Sequence, residues 1–316
     1  MPFATHKFGG VNNIQDPATL GEVESPRAPV LTELVSAENI DLGDREEAAV
    51  REGYALAYSG APHSGWNTRD YSRAFLVEAA KLKQFFSNGT SANLLTLSNN
   101  DPCVFEEVNE IVVFTNNTDI GYISPEGAAF FSAPSEQFKK SMPAGQNLAF
   151  YGGRLWVAYK NTLVRSDAYD IEARDERLSD IPLPGHIHMV AAVRGGLWVS
   201  AGETTAFLPE GDAAYKVVAP YAAIAGTDVP VPAGTLGAEE GEDAVIWRST
   251  RGVCLGSANG TFVNISEDTT SLKPGRSGAA MLRQTEGQVH YISTARDTQA
   301  EFNRRTPLPD PVVSLP

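Results

Sequence analysis

A motif of about 42 residues recurs along the chain, and it constrains the fold more than any other feature. A paired glycine, a Trp-Val step, a polar break and a second apolar run occur in YGGRLWVAYKNTLVRS and again in RGGLWVSAGETTAFL. Six apolar runs share an aromatic centre, and successive centres lie 39 to 49 residues apart. The centres are Phe75, Phe114, Trp156, Trp198, Trp247 and Tyr291.

A second landmark keeps the same register. A proline precedes each aromatic centre by 12 to 17 residues. These prolines are Pro62, Pro102, Pro143, Pro184, Pro232 and Pro274. A unit of this size with three or four short strands is typical of a β-propeller blade. The sequence therefore predicts an all-β chain with a single β-propeller, most simply of six blades.

Local signals agree with strands and turns. The unit after Pro143 gives NLAFYGG and RLWVAY as two paired strands, with TLVRSD as the third. Asn88-Gly89 and Asn259-Gly260 predict two-residue hairpin turns of type I′, in which both central residues have positive φ. Helical patterning is scarce, and Ser135–Met142 is one segment expected to form a turn or two of helix. The glycines Gly152, Gly153, Gly195 and Gly196 are expected in tight turns.

The repeat divides the chain into three parts. Residues 1–61 are predicted to hold an N-terminal arm plus strands able to close the propeller. Residues 62–300 form the propeller, and the proline-rich residues 301–316 form an extended C-terminal arm. Arms of this kind suit contacts with neighbouring subunits, with simple disorder as the alternative.

The aromatic centres admit two interpretations. They could be stacking platforms for sugars or bases, or they could fill the space between adjacent sheets, where one large ring buries about 150–250 Å². Their spacing follows the repeat, which favours packing between blades. We therefore expect Trp156, Trp198 and Trp247 to be buried at similar places in successive blades.

Composition excludes several classes of function. The net charge of -14 argues against a surface that grips nucleic acid, so no sequence-specific nucleic-acid binding is expected. No apolar run reaches the roughly 18 residues of a membrane helix, and the start has no apolar signal-peptide core. We expect no membrane insertion and a soluble protein made in a cytoplasm. Cys103 and Cys254 are predicted to be buried thiols.

No motif of a known catalytic or cofactor site is present. GxSxG, Walker, HExxH and dinucleotide signatures are absent, and so are the sialidase-type repeat and a WD dipeptide. The innermost strands NLAFYGG, HIHMVAAV and RSGAAMLRQ are poor in the acids that a glycosidase needs. His186 and His188 should share one face of a strand, but no third ligand is nearby. The sequence thus predicts no catalytic, cofactor-binding or metal-binding residues, no cofactor and no enzyme.

Four segments near the two ends are distinctive: FGGVNNIQDPATL (8–20), the segment 36–60, the segment 245–268 and the segment 275–293. They resemble segments of virion proteins of tailed bacteriophages. The nearest relatives are the tail hub, or packaged-DNA-stabilisation, proteins of short-tailed phages. The resemblance implies several propellers in a symmetric ring below the portal and adaptor, continuing the DNA channel. The implied partners are further copies of the chain and portal, adaptor or other tail proteins. The resemblance also implies that DNA passes through the ring and that the protein is located in the virion tail.

The implied role is a structural virion protein, with a carbohydrate-binding or glycan-cleaving propeller in host recognition as the alternative. A third option is a protein–protein scaffold in a bacterial cell. The chain has no large insertion beyond the propeller, so the resemblance does not extend to docking of a tailspike or needle.

Overall fold

The architecture was analysed in a computed structural model. In the part of the chain that it describes, every regular element is a β-strand. The described residues are 8–11, 14, 22–23, 31–34, 40–42, 48–50, 58–177, 180–210, 214–236, 243–268, 270–272, 275–285 and 288–296.

Short strands precede the first large sheet. Three of them form one small sheet in the order β1-β3-β2, and β4 pairs antiparallel with β5. Their bounds are β1 Phe8–Val11, β2 Glu22–Val23, β3 Leu31–Leu34, β4 Ile40–Leu42 and β5 Ala48–Val50.

Five four-stranded antiparallel sheets then follow one another, and we call them blades 1 to 5. In each blade the strands pair in chain order. Blade 1 comprises β6 His63–Asn67, β7 Ala74–Glu78, β8 Lys81–Phe85 and β9 Ser91–Thr96. Blade 2 comprises β10 Val104–Val108, β11 Ile111–Thr115, β12 Ile120–Ser124 and β13 Gly127–Phe130.

The segment leading into blade 3 holds β14, Lys139–Ser141, which pairs with β18. Blade 3 comprises β15 Leu148–Tyr151, β16 Arg154–Tyr159, β17 Thr162–Arg165 and β19 Asp180–Pro182, with β18, Ala173–Asp175, between the last two in sequence. Blade 4 comprises β20 Ile187–Val193, β21 Gly196–Ala201, β22 Thr204–Pro209 and β23 Lys216–Ala219. Blade 5 comprises β24 Val229–Val231, β25 Ala244–Ser249, β26 Gly252–Ser257 and β27 Phe262–Asn264.

A two-stranded hairpin follows blade 5, and we call it the sixth hairpin. It pairs β28, Ser277–Thr285, with β29, Gln288–Arg296. It joins blade 5 through the amide of Gly278, which donates to the carbonyl of Ala225 at 2.8 Å.

Separate apolar cores lie between consecutive sheets. Phe75 of blade 1 packs with Phe114 of blade 2. Further cores join blades 2 and 3, blades 3 and 4, blades 4 and 5, and blade 5 and the sixth hairpin. Sheets that pack face to face in chain order, each on its neighbours, form a β-propeller. The chain is therefore all-β and contains a single β-propeller, as the repeat predicted.

Buried hydroxyl groups tie one blade to the segment that begins the next. The Oγ1 atom of Thr115, at the end of β11, accepts the amide of Gly145 at 2.9 Å. In blade 4 the Oγ atom of Ser200 accepts the amide of Ala223 at 2.8 Å. Both hydroxyls are fully buried. Since an unmade buried hydrogen bond is costly, these bonds hold successive blades in a defined register.

All six aromatic centres lie on the second strand of their unit, which confirms the register of the repeat. Five of them are nearly inaccessible to solvent, and Tyr291 is half-buried. The second strands are β7, β11, β16, β21, β25 and β29, and the centres lie on them in that order. The tryptophans are packing residues between sheets, so the stacking-platform interpretation is wrong for them.

The expected equivalence of the three tryptophans holds only in part. Trp156 and Trp198 both pack toward the following blade. Trp247 packs backward on blade 4, with its ring centroid 5.5 Å from that of Trp198. All residues of β25 are buried, so either face of that strand accepts a large ring. The sixth hairpin holds only two described strands, so the six-blade count stays a prediction.

Two local expectations were wrong. In both Asn-Gly hairpins the glycine alone has positive φ, 81° at Gly89 and 83° at Gly260, so the turns are not type I′. Asn88 and Asn259 instead accept amide hydrogens from the second residue after each of them. The predicted helix at 135–142 is absent, because Lys139–Ser141 pairs as a strand with Ala173–Asp175.

Other local expectations had mixed outcomes. Gly152 and Gly153 adopt positive φ between β15 and β16, as expected. Pro232 follows the innermost strand of blade 5 and still precedes Trp247, the aromatic centre of that unit. The predicted arm at 301–316 lies outside the described residues.

Candidate functional site at the propeller centre

The innermost strands of the blades bring polar groups together at the centre of the propeller. Strand β10 contacts β15, and β15 contacts β20, so the first strands of blades 2 to 4 adjoin one another. Side chains on such strands lie between neighbouring blades, and where the blades converge they face the central channel.

Glu106, in the middle of β10, is the most perturbed acid at this centre. Burial raises the pKa of its carboxyl from 4.5 to about 7. The positive charge of Arg69 in blade 1 and a hydrogen bond from the backbone amide of Phe150 in blade 3 lower this pKa. The negative charge of Asp228 raises it by like-charge repulsion. Groups from three other parts of the ring thus act on one carboxyl. Its side chain is half-buried.

Asp228 lies directly before β24, the innermost strand of blade 5. Burial raises the pKa of its carboxyl from 3.8 to about 6. The side chain is half-buried, like that of Glu106. We call these two carboxyls the channel pair. Within this pair, Asp228 raises the pKa of Glu106 by like-charge repulsion.

The channel pair can hold protons near neutral pH. A carboxyl with a pKa near 7 can donate a hydrogen bond or a proton, which an ordinary surface carboxylate cannot do. The innermost strand of blade 2, VFEEV, differs from the acid-poor strands NLAFYGG, HIHMVAAV and RSGAAMLRQ because it carries two glutamates. The sequence contained this information, because Glu106 and Glu107 lie in the strand that immediately precedes the second strand of their unit.

Glu107 has a structural partner. Its Oε2 atom accepts the backbone amide of Arg69 at 3.0 Å. In addition, the guanidinium of Arg73 donates to the carbonyl of Glu110 at 3.1 Å. These bonds join blades 1 and 2.

His186 and His188 lie together where β20 begins, as the sequence predicted. Their ring centroids are 5.3 Å apart, edge to face. His186 is exposed and His188 is half-buried. Burial, and then the neighbouring His186, lower the pKa of His188. In the part of the chain that the structure describes, no group of three or more potential metal ligands occurs.

The two cysteines are buried, and their thiols are protonated at neutral pH. Burial raises the pKa of Cys103 to about 12 and that of Cys254 to about 11. A thiol reacts as its thiolate, so neither residue is a nucleophile at neutral pH. The prediction of two buried free thiols is confirmed.

Within the described residues no helix is long and apolar enough to span a bilayer.

No family model matches the chain, and no curated protein matches it. Similar folds occur among solved structures. The WD40 domain of Neurospora crassa Pan2 is 10% identical with a TM-score of 0.42, over 76% of this chain and 90% of that one. A chain of the mitotic checkpoint complex is 8% identical with a TM-score of 0.47, over 77% and 81%. An extracellular domain of a B. thetaiotaomicron hybrid two-component system is 9% identical with a TM-score of 0.48, over 89% of this chain and 39% of that one.

Proposed function

We propose that the chain is a structural virion protein of a tailed bacteriophage. It forms a symmetric ring in the tail hub, nozzle or head–tail connection, around the channel through which DNA passes. The observation that supports this role is that segments near both ends of the chain resemble phage virion proteins, while the middle of the chain is a propeller. An assembly protein of this kind needs no catalytic constellation.

The negative net charge is consistent with a ring through which DNA passes and not with a protein that binds DNA tightly. With a net charge of -14, the chain lacks the excess of Lys and Arg that neutralises phosphates. An acidic ring would repel DNA and let it slide. The proposed partners are further copies of the chain and the portal, adaptor or tail proteins next to it. The proposed location is the virion, after synthesis in the host cytoplasm.

Mass spectrometry of purified virions tests this role. We expect the chain in particles at a fixed ratio to the portal protein, and particles from a gene deletion should lack DNA or tails. Absence of the chain from washed particles of normal infectivity would overturn the proposal. Terminase, portal and tail genes beside its gene are the expected neighbours.

A second candidate function rests on the channel pair. Two carboxyls that share a channel, one with its pKa near 7, are the groups from which a glycosidase draws its acid and its nucleophile or base. In this case the substrate would be a surface glycan of the host. A hydrolysis screen with the wild type and Glu106→Gln separates the candidates, because only a glycan-cleaving propeller would show turnover that this substitution abolishes.

A further inference from the structure

Hydrogen bonds from two blades fix residues 186–188, where the innermost strand of blade 4 begins. Each of the three backbone carbonyls in this segment accepts one donor. The amide of Gly202, in the β21–β22 turn, donates to the first carbonyl at 2.9 Å. The side-chain amides of Gln146 and Asn147, which lead into blade 3, donate to the second and third, both at 3.1 Å. The backbone that carries the two histidines is therefore held in one conformation.

A β-bulge at His188 shapes the same segment. The register of β20 against β21 shifts between Ile187 and Met189, so His188 is an extra residue in the strand. A bulge bends a strand and re-aims its side chains. Ile187 and Met189 are fully buried. His186 is exposed and His188 is half-buried, so their rings meet where dissolved ions can reach them.

The two rings are spaced as they would be on one metal ion. The centroids of His186 and His188 are 5.3 Å apart, with 64° between the ring planes. An imidazole nitrogen binds Zn²⁺ at about 2.0–2.1 Å, so two imidazoles at tetrahedral positions of one ion have centroids roughly 5 Å apart. The pair thus needs only a small rotation of its side chains to hold an ion between its nitrogens.

A hydrogen bond orients the ring of His188. This ring bonds to the backbone of Gly202, in the adjacent turn. A ring N–H that donates to a backbone carbonyl leaves the other ring nitrogen with its lone pair, and histidines that bind metals are held in this way by their surroundings. His188 therefore already has the arrangement of a metal ligand.

The ring of His186 also keeps a lone pair for an ion. Its Nδ1 atom lies 3.4 Å from Nε2 of Gln146, which is long for a hydrogen bond. That amide nitrogen has two hydrogens, and it donates to the carbonyls of Lys160 at 3.2 Å and of Ile187 at 3.1 Å. Both hydrogens are thus used at shorter distances, and Gln146 does not compete for the imidazole.

The nearby charges favour a cation. The negative charge of Glu203, in the β21–β22 turn, acts on the ring of His188. The ammonium of Lys160 lies over the ring of Tyr159, 5.1 Å from its centroid, in a cation–π contact. An ion bound to the two histidines therefore meets a neighbouring negative charge and a lysine that has its own partner.

We propose that His186 and His188 together bind one divalent transition-metal ion of the kind that imidazole prefers, such as Cu²⁺, Ni²⁺ or Zn²⁺. Two protein ligands leave coordination positions open for water or for a donor group of a bound partner. The sequence predicted no metal site because no third ligand is nearby, and the open site needs none. This inference is independent of a virion role and of glycan cleavage.

Titration of the full chain with Cu²⁺, followed by calorimetry and EPR, tests the site. We expect one ion bound here per chain, with two nitrogen donors in the EPR spectrum. His186→Ala and His188→Asn should each remove one nitrogen and weaken binding by about tenfold or more, since even the loss of a group that orients a ligand costs about 10–100-fold. His290→Ala, in the sixth hairpin, is the control and should leave the affinity unchanged.

Two results would overturn the proposal. One is the absence of Cu²⁺ binding, and the other is equal affinity in the wild type and in His186→Ala/His188→Asn, which would place the ion elsewhere. Should a variant at half-buried His188 fail to fold, His186→Ala alone decides, because it truncates an exposed side chain. Zn²⁺ should also raise the Tm of the wild type but not of His186→Ala, and EDTA should reverse the increase.

Discussion

The indole ring of Trp198 in blade 4 lies directly on Gly256 in blade 5. A Cβ atom at Gly256 would come within 2.8 Å of both Cδ2 and Nε1 of that ring. The same indole donates its N–H to the carbonyl of Ser257 at 3.0 Å. The ring is thus clamped between two blades by a close approach that only glycine permits.

Gly256→Ala should therefore destabilise the propeller. The added methyl group displaces a ring that is packed and hydrogen-bonded, at a cost of about 1–3 kcal/mol. Urea denaturation should show this as a lower midpoint. Gly65→Ala is the matched control, since a Cβ there meets nothing within 4 Å and should leave the midpoint unchanged or slightly higher. Equal midpoints for both variants would contradict the clamp.

The contact between Trp198 and Trp247 should appear as energetic coupling. Their rings are 5.5 Å apart, and aromatic pairs contribute roughly 0.5–1.5 kcal/mol beyond burial. A double-mutant cycle with Trp198→Phe and Trp247→Phe should give a coupling of this size. Trp156→Phe with Trp247→Phe is the control cycle, because Trp156 belongs to a different core and the effects should add within about 0.5 kcal/mol.

The stability of the fold should fall as the pH rises from about 5 to about 8. The pKa of Glu106 is about 7 in the folded protein against 4.5 for the free group, so the folded state retains a proton that the unfolded chain loses. Glu106→Gln should reduce the difference in unfolding free energy between pH 5 and pH 8 by on the order of 2 kcal/mol.

Glu126→Gln is the control for this titration. The hydroxyl of Ser124 lowers the pKa of Glu126, so this exposed carboxyl is ionised throughout the range from pH 5 to pH 8. Its replacement should leave the pH dependence as in the wild type. A wild-type stability that rises between pH 5 and pH 8, and is unaffected by Glu106→Gln, would refute the assignment.

Both thiols should resist modification in the folded protein. At pH 8, with pKa values of about 12 and about 11, Cys103 and Cys254 are protonated and shielded from reagent. An Ellman titration should find almost no reactive thiol in buffer and two per chain in concentrated urea. Rapid reaction of either thiol in buffer would show that its blade opens.

The blade register was predictable because the apolar runs recur with the same internal spacing. RLWVAY corresponds residue for residue to β16, and each aromatic centre falls on a second strand. The side on which Trp247 packs was not predictable. Both faces of a second strand are buried, so alternation of apolar and polar residues, which normally reports the buried face, is absent there.

The channel pair could not be predicted from local pattern. Glu106 and Asp228 are far apart in sequence, and only the fold brings Asp228 close enough to raise the pKa of Glu106. Their raised pKa values depend on burial by the whole ring, which no single strand encodes. His186 and His188 are the opposite case, since alternation along one strand suffices to bring their rings together.

The apolar cores between consecutive blades imply a particular pattern of unfolding. Each core joins only nearest neighbours, so cooperativity passes from blade to blade as in a linear array. Blades 2 to 5 each gain from two such couplings within the described residues. Native-state hydrogen exchange should therefore differ between blades, with the junction held by Trp198 among the last regions to open.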